Sequence, residues 1–280
     1  GKIESLIQNN QFKNVESYGI KQGNNVYSSI TIANNNFNAV TVGAYLFEIY
    51  KSPVVISGNT FDNTQYLLPV NLLPNFDNTA ITIQNSVPTT KVGPFYVFNN
   101  TIVNYRLGIH GENLRAFRVG LEPDPTGLTE GIPNANTIEY NLGANFALSQ
   151  YYLGIWLQNC ANGRVISNTI TNNLAMNGTD KFRGIDITAS TNCRINCNTI
   201  DKSPRSIYFT GDCGRTKMRS NYFKNYDIAV ELFDGNTILD DQGDWDATIQ
   251  DWRPLNNEWD DDQIVSPFSR VFRNGIGGPI

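Results

Sequence analysis

The sequence predicts an all-β solenoid, because three features recur along most of the chain. A bend of the form Asn-x-Phe/Ile returns at nearly regular intervals, an apolar residue precedes most bends, and a segment of alternating apolar residues follows them. Short segments with a period of two are typical of half-buried strands and are too short for helices. A unit that repeats about every 20 to 50 residues is typical of solenoids.

The spacing of the bends defines the repeat. The shortest full spacings between bend asparagines are 25, 24 and 23 residues, and the longer ones of 41, 36, 32 and 30 residues indicate the same unit with insertions. Asn suits a bend because it tolerates left-handed backbone and satisfies turn groups with its own amide. The predicted bend asparagines are Asn10, Asn35, Asn59, Asn100, Asn136, Asn168, Asn198, Asn221 and Asn236.

Each repeat is predicted to contain three short strands. Two of them meet at the bend, since an apolar residue stands three positions before most bend asparagines and Phe or Ile stands two positions after them. The third strand is seen in the segments YGI (18–20), LFEIY (46–50), AITIQ (80–84), LGIH (107–110), GIWLQ (154–158), GIDIT (184–188), SIYFT (206–210) and IAVEL (228–232). The Leu-x-x-Leu-x-Leu spacing of leucine-rich repeats is not found.

This pattern resembles the right-handed parallel β-helix superfamily, the pectate-lyase-like solenoids, over approximately residues 3–238. The resemblance implies a single-stranded right-handed parallel β-helix with loop insertions. It also implies that the bend asparagines stack coil upon coil through side-chain hydrogen bonds. We therefore predict that Asn59, Asn100, Asn168 and Asn198 form one column inside the solenoid.

Residues 1–238 are predicted to form the β-helix, and residues 239–280 a C-terminal cap. The later segment is acidic and has Trp245, Trp252 and Trp259 at a spacing of seven, but Gly243 and Pro254 interrupt any heptad. A cap is expected because the open end of a solenoid must be covered. The run Asp260–Asp262 indicates either a calcium site or a solvated turn, and no other cofactor is expected.

Insertions are predicted near residues 62–79, 111–134, 141–153 and 172–183. Three of the four follow the Asn bend and precede the third strand, so they should emerge along one edge of the solenoid. Loops gathered in this way often form a binding face, and the alternative is that they only shield the coils.

The composition of the chain limits which partners and which location we expect. The net charge is −5 and charged residues make up 17% of the chain, so nucleic acid and anionic membranes are poor candidates. No apolar run is long enough to span a membrane. The chain starts at Gly1 without a signal-peptide pattern, and we expect any such segment to have been removed or to lie upstream. An extracellular or cell-surface location is expected.

The four cysteines, Cys160, Cys193, Cys197 and Cys213, lie in one third of the chain. With a single histidine and no second close cysteine pair, a zinc site is disfavoured. Buried free thiols are favoured over disulfides between neighbouring coils.

Alternation along the third strands predicts which residues face outward. The predicted stripe mixes aromatic rings, acids and amides, a composition suited to sugar rings. Its candidate ligand-binding residues are Glu48, Tyr50, Gln84, Trp156, Gln158 and Tyr208, and its candidate catalytic residues are Lys51, Arg106, His110, Asp186 and Glu231. The alternative is that these side chains only stabilise an exposed parallel sheet.

Two enzymatic interpretations follow from the stripe. Asp186 and Glu231 should lie two coils apart, on the order of 10 Å, near the upper carboxylate separation of inverting glycosidases. The segment 48–61 resembles the chondroitinase B and alginate lyase group, which implies a catalytic role for Lys51. The arginine that this group implies on the next coil is replaced by Gln84, and Arg106 stands one coil later.

Polygalacturonase-like hydrolysis is disfavoured, because the chain has Asn-Thr-Ile where an Asn-Thr-Asp motif is needed. The sequence therefore favours a secreted or cell-surface module that binds a polysaccharide or surface glycan. The alternatives are a polysaccharide lyase or inverting glycoside hydrolase, and a purely structural spacer or fibre segment.

Overall fold

The computed structural model describes residues 4–24, 29–50, 53–64, 78–87, 94–129, 131–141, 151–173, 182–233, 238, 244–246, 251–253, 257–260 and 269–274. Within these ranges the chain forms β-strands joined by bends and turns. In chain order the strands are β1 (Glu4–Gln8), β2 (Gln11–Gly23), β3 (Ser29–Ala33), β4 (Asn36–Phe47), β5 (Val54–Ser57), β6 (Thr60–Asp62), β7 (Thr79–Gln84), β8 (Phe95–Phe98), β9 (Thr101–Val103), β10 (Leu107–Glu112), β11 (Phe117–Val119), β12 (Leu121–Glu122), β13 (Ile132–Pro133), β14 (Thr137–Tyr140), β15 (Tyr152–Gln158), β16 (Arg164–Ile166), β17 (Thr169–Asn172), β18 (Phe182–Thr188), β19 (Arg194–Asn196), β20 (Thr199–Asp201), β21 (Arg205–Thr210), β22 (Lys217–Arg219), β23 (Tyr222–Lys224), β24 (Ile228–Phe233), β25 (Asp244–Asp246), β26 (Asp251–Arg253), β27 (Glu258–Asp260) and β28 (Ser269–Asn274).

Two parallel sheets wind around one axis. The first has the order β1-β3-β5-β8-β11-β16-β19-β22. The second runs β27-β23-β20-β17-β14-β9-β6-β4-β7-β10-β15-β18-β21-β24-β28, with β2 paired to β4. In the second sheet β4 is long enough to pair with β6 at one end and β7 at the other. The predicted right-handed parallel β-helix is confirmed.

Each regular coil contains three strands, as predicted. The coil β16-β17-β18 is followed by the coil β19-β20-β21, and corresponding residues pair in register, for example Ile170 with Ile200 and Ile185 with Ile207. The Phe or Ile that stands two positions after the bend asparagine is buried in every described coil from Phe37 to Phe223. The core is therefore a stack of equivalent apolar residues from successive coils.

The asparagine ladder is also confirmed. Asn59 donates from Nδ2 to Oδ1 of Asn100 at 3.0 Å, and Asn168 donates in the same way to Asn198 at 3.0 Å. The ladder runs without interruption from Asn10 to Asn221. Each side-chain oxygen also accepts from the backbone N–H of the preceding ladder residue, which satisfies buried polar groups at the bend.

Two details of the ladder differ from the prediction. After Asn221 the next member is Asn257, which accepts from Asn221 Nδ2 at 3.0 Å, whereas Asn236 lies outside the described residues. The spacing from Asn221 to Asn236 is shorter than the spacing between any other two successive bend asparagines. Left-handed backbone occurs in the residue before the ladder asparagine, for example Asn34 (φ 55°) and Ser167 (φ 62°). The ladder asparagine is therefore selected for its amide.

Parallel pairing continues past residue 238. Strand β27 pairs with β23, placing Trp259 beside Phe223, and β28 pairs with β24. In the sequence, β25 and β26 lie between β24 and β27, and they pair as an antiparallel hairpin. The division of the chain at residue 238 and the capping role of residues 239–280 stay predictions.

The insertion predicted at 111–134 is smaller than expected. Strand β10 continues to Glu112, and β11 is a regular coil strand that pairs with β8 and β16. Only the segment that contains the hairpin β12-β13 leaves the coil, and it lies before the bend at Asn136. Most of the other three predicted insertions lies outside the described residues.

The cysteines are free thiols. Cys160, Cys193 and Cys213 are buried and Cys197 is exposed, so the favoured interpretation holds for three of the four. Burial raises the pKa of the Cys193 thiol to about 12. None of the described residues belongs to a helix long and apolar enough to cross a membrane.

Candidate functional site

The third strands of the coils build one surface, here called the external face. It consists of the C-terminal part of β4 and strands β7, β10, β15, β18, β21 and β24, which pair side by side. Its central column, in coil order, is Tyr45, Thr82, His110, Trp156, Asp186, Tyr208 and Glu231. A second column beside it contains Phe47, Gln84, Glu112, Gln158, Thr188 and Thr210. The structure thus brings most of the predicted stripe together.

Glu48 and Tyr50 are placed beside the stripe rather than in it. Strand β4 ends at Phe47, and Tyr45 and Phe47 are the residues in register with Thr82 and Gln84. Glu48 follows the strand, where its Oε1 accepts from the backbone N–H of Ser86 at 2.9 Å. Relative to an alignment of LFEIY with AITIQ from their first apolar alternation, the observed pairing is shifted by three residues, since Tyr45 and not Glu48 pairs with Thr82. The shift arises because β4 continues without a break from its pairing with β6 to its pairing with β7.

Of the two residues of the lyase interpretation, the structure describes only Arg106. Lys51 lies outside the described residues. Arg106 is half-buried immediately before β10, outside both columns of the external face. Its positive charge lowers the pKa of His110.

The C-terminal half of the central column forms an ion-pair cluster, defined here as Arg183, Asp186, Arg205, Tyr208 and Glu231. Asp186 and Glu231 are only 2% and 1% exposed. Arg183 Nη1 lies 2.5 Å from Asp186 Oδ2, and Arg205 Nη1 lies 2.7 Å from Glu231 Oε2. The Arg183 guanidinium stacks 3.6 Å from the Tyr208 ring centroid. Each buried carboxylate therefore has an arginine partner from its own or the adjacent coil.

Burial raises the pKa of Asp186, and the Arg183 charge together with hydrogen bonds from Arg183 and Thr188 opposes this rise. Thr188 Oγ1 donates to Asp186 Oδ1 at 2.9 Å. The carboxylate is thus held by partners on its own strand.

The N-terminal half of the face contains a groove of about 290 Å³. It crosses the coils from Tyr45 to Trp156, which are three coil spacings apart, or roughly 14 Å. Its lining residues are Tyr18, Val42, Tyr45, Thr79, Thr82, Gln84, His110, Glu112, Trp156 and Gln158. These described lining residues supply aromatic rings, hydroxyls, two amides and one carboxylate, and no lysine or arginine is among them.

His110 and Trp156 form a stacked pair in this groove. Their ring centroids are 4.2 Å apart and their planes are inclined by 13°. His110 is only 7% exposed, and its Nε2 is buried with no hydrogen-bond partner among the described residues. Burial lowers the pKa of His110 to about 4, and a hydrogen bond with Gln158 only partly counteracts this. The imidazole is therefore neutral at pH 7.

Trp156 is half-buried and fixed in orientation. Its Nε1 donates to Thr188 Oγ1 at 3.2 Å, and its ring packs on His110. Glu112 lies on the same strand as His110, and burial raises its pKa. A fixed aromatic face beside amide and hydroxyl groups can stack on a sugar ring and hydrogen-bond its hydroxyls.

At the Tyr45 end of the groove, a cation lies over two of the aromatic rings that line it. Lys21 Nζ lies 4.6 Å from the Tyr18 ring centroid and 5.8 Å from that of Tyr45. The Tyr18 and Tyr45 rings are themselves 5.2 Å apart. The ammonium group is therefore engaged in cation–π contacts with groove residues.

Tyr18, Tyr45, Thr79 and Glu112 were missed by sequence reasoning. Glu112 stands two positions after His110 and continues the same alternation, so a longer third strand would have included it. Tyr18 and Tyr45 lie on β2 and β4, which run through the second bend without a break. No bend residue marked where their third strand begins.

No group of three or more His, Cys, Asp or Glu residues that could hold a metal ion occurs among the residues that the structure describes. In the predicted calcium run, Asp261 and Asp262 lie outside them. Comparison with known proteins found no matching family model, curated protein or solved structure.

Proposed function

We propose that the protein is a glycan-binding module that holds a polysaccharide or surface glycan in the groove of the external face. The observation that carries the proposal is the Trp156 ring, half-buried, fixed by two contacts and facing a groove lined by amides and hydroxyls. An extracellular or cell-surface role, including adhesion, belongs to the same proposal.

The groove has the chemistry that sugar binding needs. A sugar ring has apolar C–H faces that pack on an aromatic ring, and its hydroxyls both donate and accept hydrogen bonds. Gln84 and Gln158 flank the central column on the two coils either side of Glu112, and each offers a donor and an acceptor. Because the strands are rigidly paired, these groups are held in place before a ligand arrives, which lowers the entropic cost of binding.

A second candidate function is polysaccharide cleavage on the same face, by an inverting glycoside hydrolase or by a polysaccharide lyase reaction. It is supported by the register of Asp186, Tyr208 and Glu231, which puts the two carboxylates two coils apart, on the order of 10 Å. Burial raises the pKa of Asp186, as a general acid requires. The arginine partners of both carboxylates favour a structural role, and we therefore rank catalysis second.

Affinity electrophoresis in gels that contain soluble polysaccharides tests the proposal. The panel should hold neutral and uronate-containing polysaccharides at about 150 mM salt, where non-specific charge effects are screened. We expect retardation of the wild-type protein by at least one polysaccharide and loss of that retardation in Trp156→Ala, with Trp156→Phe retaining most of it. No retardation by any polysaccharide would contradict binding and would leave catalysis and the structural spacer as the remaining interpretations.

The same panel tests catalysis. After incubation, two assays distinguish hydrolysis from lyase cleavage. One detects new reducing ends, and the other detects the ultraviolet absorbance of unsaturated products. We expect neither signal from a binding module. A signal that Asp186→Asn removes would move the functional centre to the ion-pair cluster.

A further inference from the structure

The charge of the groove differs from that of the surface around it. Of the lining residues that the structure describes, Glu112 alone carries a formal charge at pH 7, because His110 is neutral there. An acidic sugar would have to bring its carboxylate beside Glu112 without a cation in the lining. Desolvating a charge without a compensating partner is costly, so this groove disfavours acidic glycans.

Nearby cations are already engaged. The Lys21 ammonium lies over the rings of Tyr18 and Tyr45. Arg183 and Arg205 form ion pairs with Asp186 and Glu231. Arg106, before β10, acts on His110 through its charge and is absent from the groove lining. A uronate or sulfate entering the groove would have to compete for these partners.

The buried Nε2 of His110 points to a ligand. A buried polar atom without a hydrogen bond destabilises a folded protein, and such atoms are few in native structures. This one belongs to a residue that lines the groove, stacks on Trp156 of the following coil and is in register with Thr82 of the preceding coil. A ligand hydroxyl at this position would supply the missing partner, because a hydroxyl can donate or accept.

We infer that the groove selects uncharged, hydroxyl-rich glycans, and that His110 Nε2 forms a hydrogen bond with a sugar hydroxyl next to the ring stacked on Trp156. This inference rests on the proposed glycan-binding function and adds the class of glycan and a specificity-determining residue. Glu112 reinforces the selection by repelling acidic sugars, while Gln84 and Gln158 bind further hydroxyls.

The sharpest test uses a matched pair of polysaccharides. Polygalacturonate and its carboxyl-reduced product share their linkage and differ in charge, and alginate with its carboxyl-reduced product gives a second pair. A neutral β-glucan and a neutral mannan complete the panel. We expect retardation only by neutral members. Preferential retardation by the uronates would overturn the inference while leaving glycan binding intact, whereas no retardation by any member would overturn the proposed function itself.

Variants of His110 test its role separately. His110→Phe keeps an aromatic ring for stacking on Trp156 but cannot form the hydrogen bond, and His110→Gln keeps a polar group near the Nε2 position. With the neutral polysaccharide that retards the wild type, we expect binding about 3- to 10-fold weaker in His110→Phe and largely recovered in His110→Gln.

Thermal unfolding provides the control for folding. His110→Phe removes the unsatisfied Nε2 but also the hydrogen bond with Gln158, so its Tm should stay close to that of the wild type. Weaker binding together with an undiminished Tm would support the role of Nε2. Equal binding by His110→Phe and the wild type would overturn it.

Discussion

The two halves of the external face have similar compositions but differ in what their side chains contact. In the C-terminal half, Asp186 and Glu231 are buried against arginines and the Tyr208 ring lies under Arg183. In the N-terminal half, the same column leaves a groove and a buried His110 Nε2 without a partner among the described residues. The acids of the first half are paired with arginines of the same half, whereas the second half surrounds open space in which a ligand would contact His110.

This difference teaches that composition alone does not locate a site on a β-helix. Acids and aromatic rings on one stripe suggest sugar chemistry, but those of the ion-pair cluster contact one another. The neutral groove residues surround open space. We therefore expect substitutions in the cluster to affect stability and substitutions in the groove to affect binding.

The largest expected effect is that of Arg183→Met. It leaves the buried Asp186 carboxylate without its ion-pair partner, and breaking such a pair from one side costs about 3 to 5 kcal/mol. Urea unfolding monitored by circular dichroism measures the loss. The double variant Arg183→Met/Asp186→Leu should recover most of it, because no uncompensated charge remains. A loss below about 1 kcal/mol in the single variant would show that the cluster does not stabilise the fold.

Acid should destabilise the groove half through His110. The pKa of His110 falls from 6.5 to about 4 on folding, so the unfolded chain binds the proton more tightly. The contribution of neutral His110 to the unfolding free energy is therefore at its full value above pH 6.5. It is lost as the pH falls from 6.5 through about 4, and the total change is about 3 kcal/mol.

The charged groups near His110 are Arg106 and Glu112, and other carboxylates titrate at the lower end of this range. The difference between wild type and His110→Phe isolates the histidine. We expect the wild type to lose more stability than His110→Phe between pH 6.5 and pH 4. Parallel curves for the two proteins would contradict the burial of a neutral imidazole.

The smallest effect is expected for Glu112→Gln. Glu112 is only partly buried and forms none of the ion pairs in the described part of the chain, so the unfolding free energy should change by less than about 0.5 kcal/mol. If Glu112 contributes to the exclusion of acidic sugars, the variant should bind uronates more strongly than the wild type. Unfolding at pH 7 and the polysaccharide gels measure the two effects.

The sequence alone predicted the coil, the ladder and much of the stripe because each depends on a local repeat. The spacing of Asn59, Asn100, Asn168 and Asn198 was enough to predict their column. It was also enough to place Asp186 in register with Trp156. Every coil reuses the same bend, so one motif fixes the register of many strands.

The remainder was not predictable because it depends on exceptions to the repeat and on packing between coils. Asn257 is followed by Glu258 and Trp259, not by Phe or Ile at the second position, and so escaped the bend pattern. The shift that places Tyr45 in the stripe follows from an unbroken β4. The periodicity of the sequence does not predict that Arg183 binds Asp186 or that His110 stacks on Trp156.

The central claim is that the groove half of the external face binds the ligand and the ion-pair cluster does not. Two exposed or half-buried aromatic residues allow a matched comparison, Trp156 in the groove and Phe233, which packs on Tyr208 with ring centroids 5.7 Å apart. Calorimetric titration with oligosaccharides from the neutral polysaccharide that retards the wild type should show binding to Phe233→Ala and none to Trp156→Ala. Binding that survives in Trp156→Ala but is lost in Phe233→Ala would contradict the claim and place the site on the ion-pair cluster.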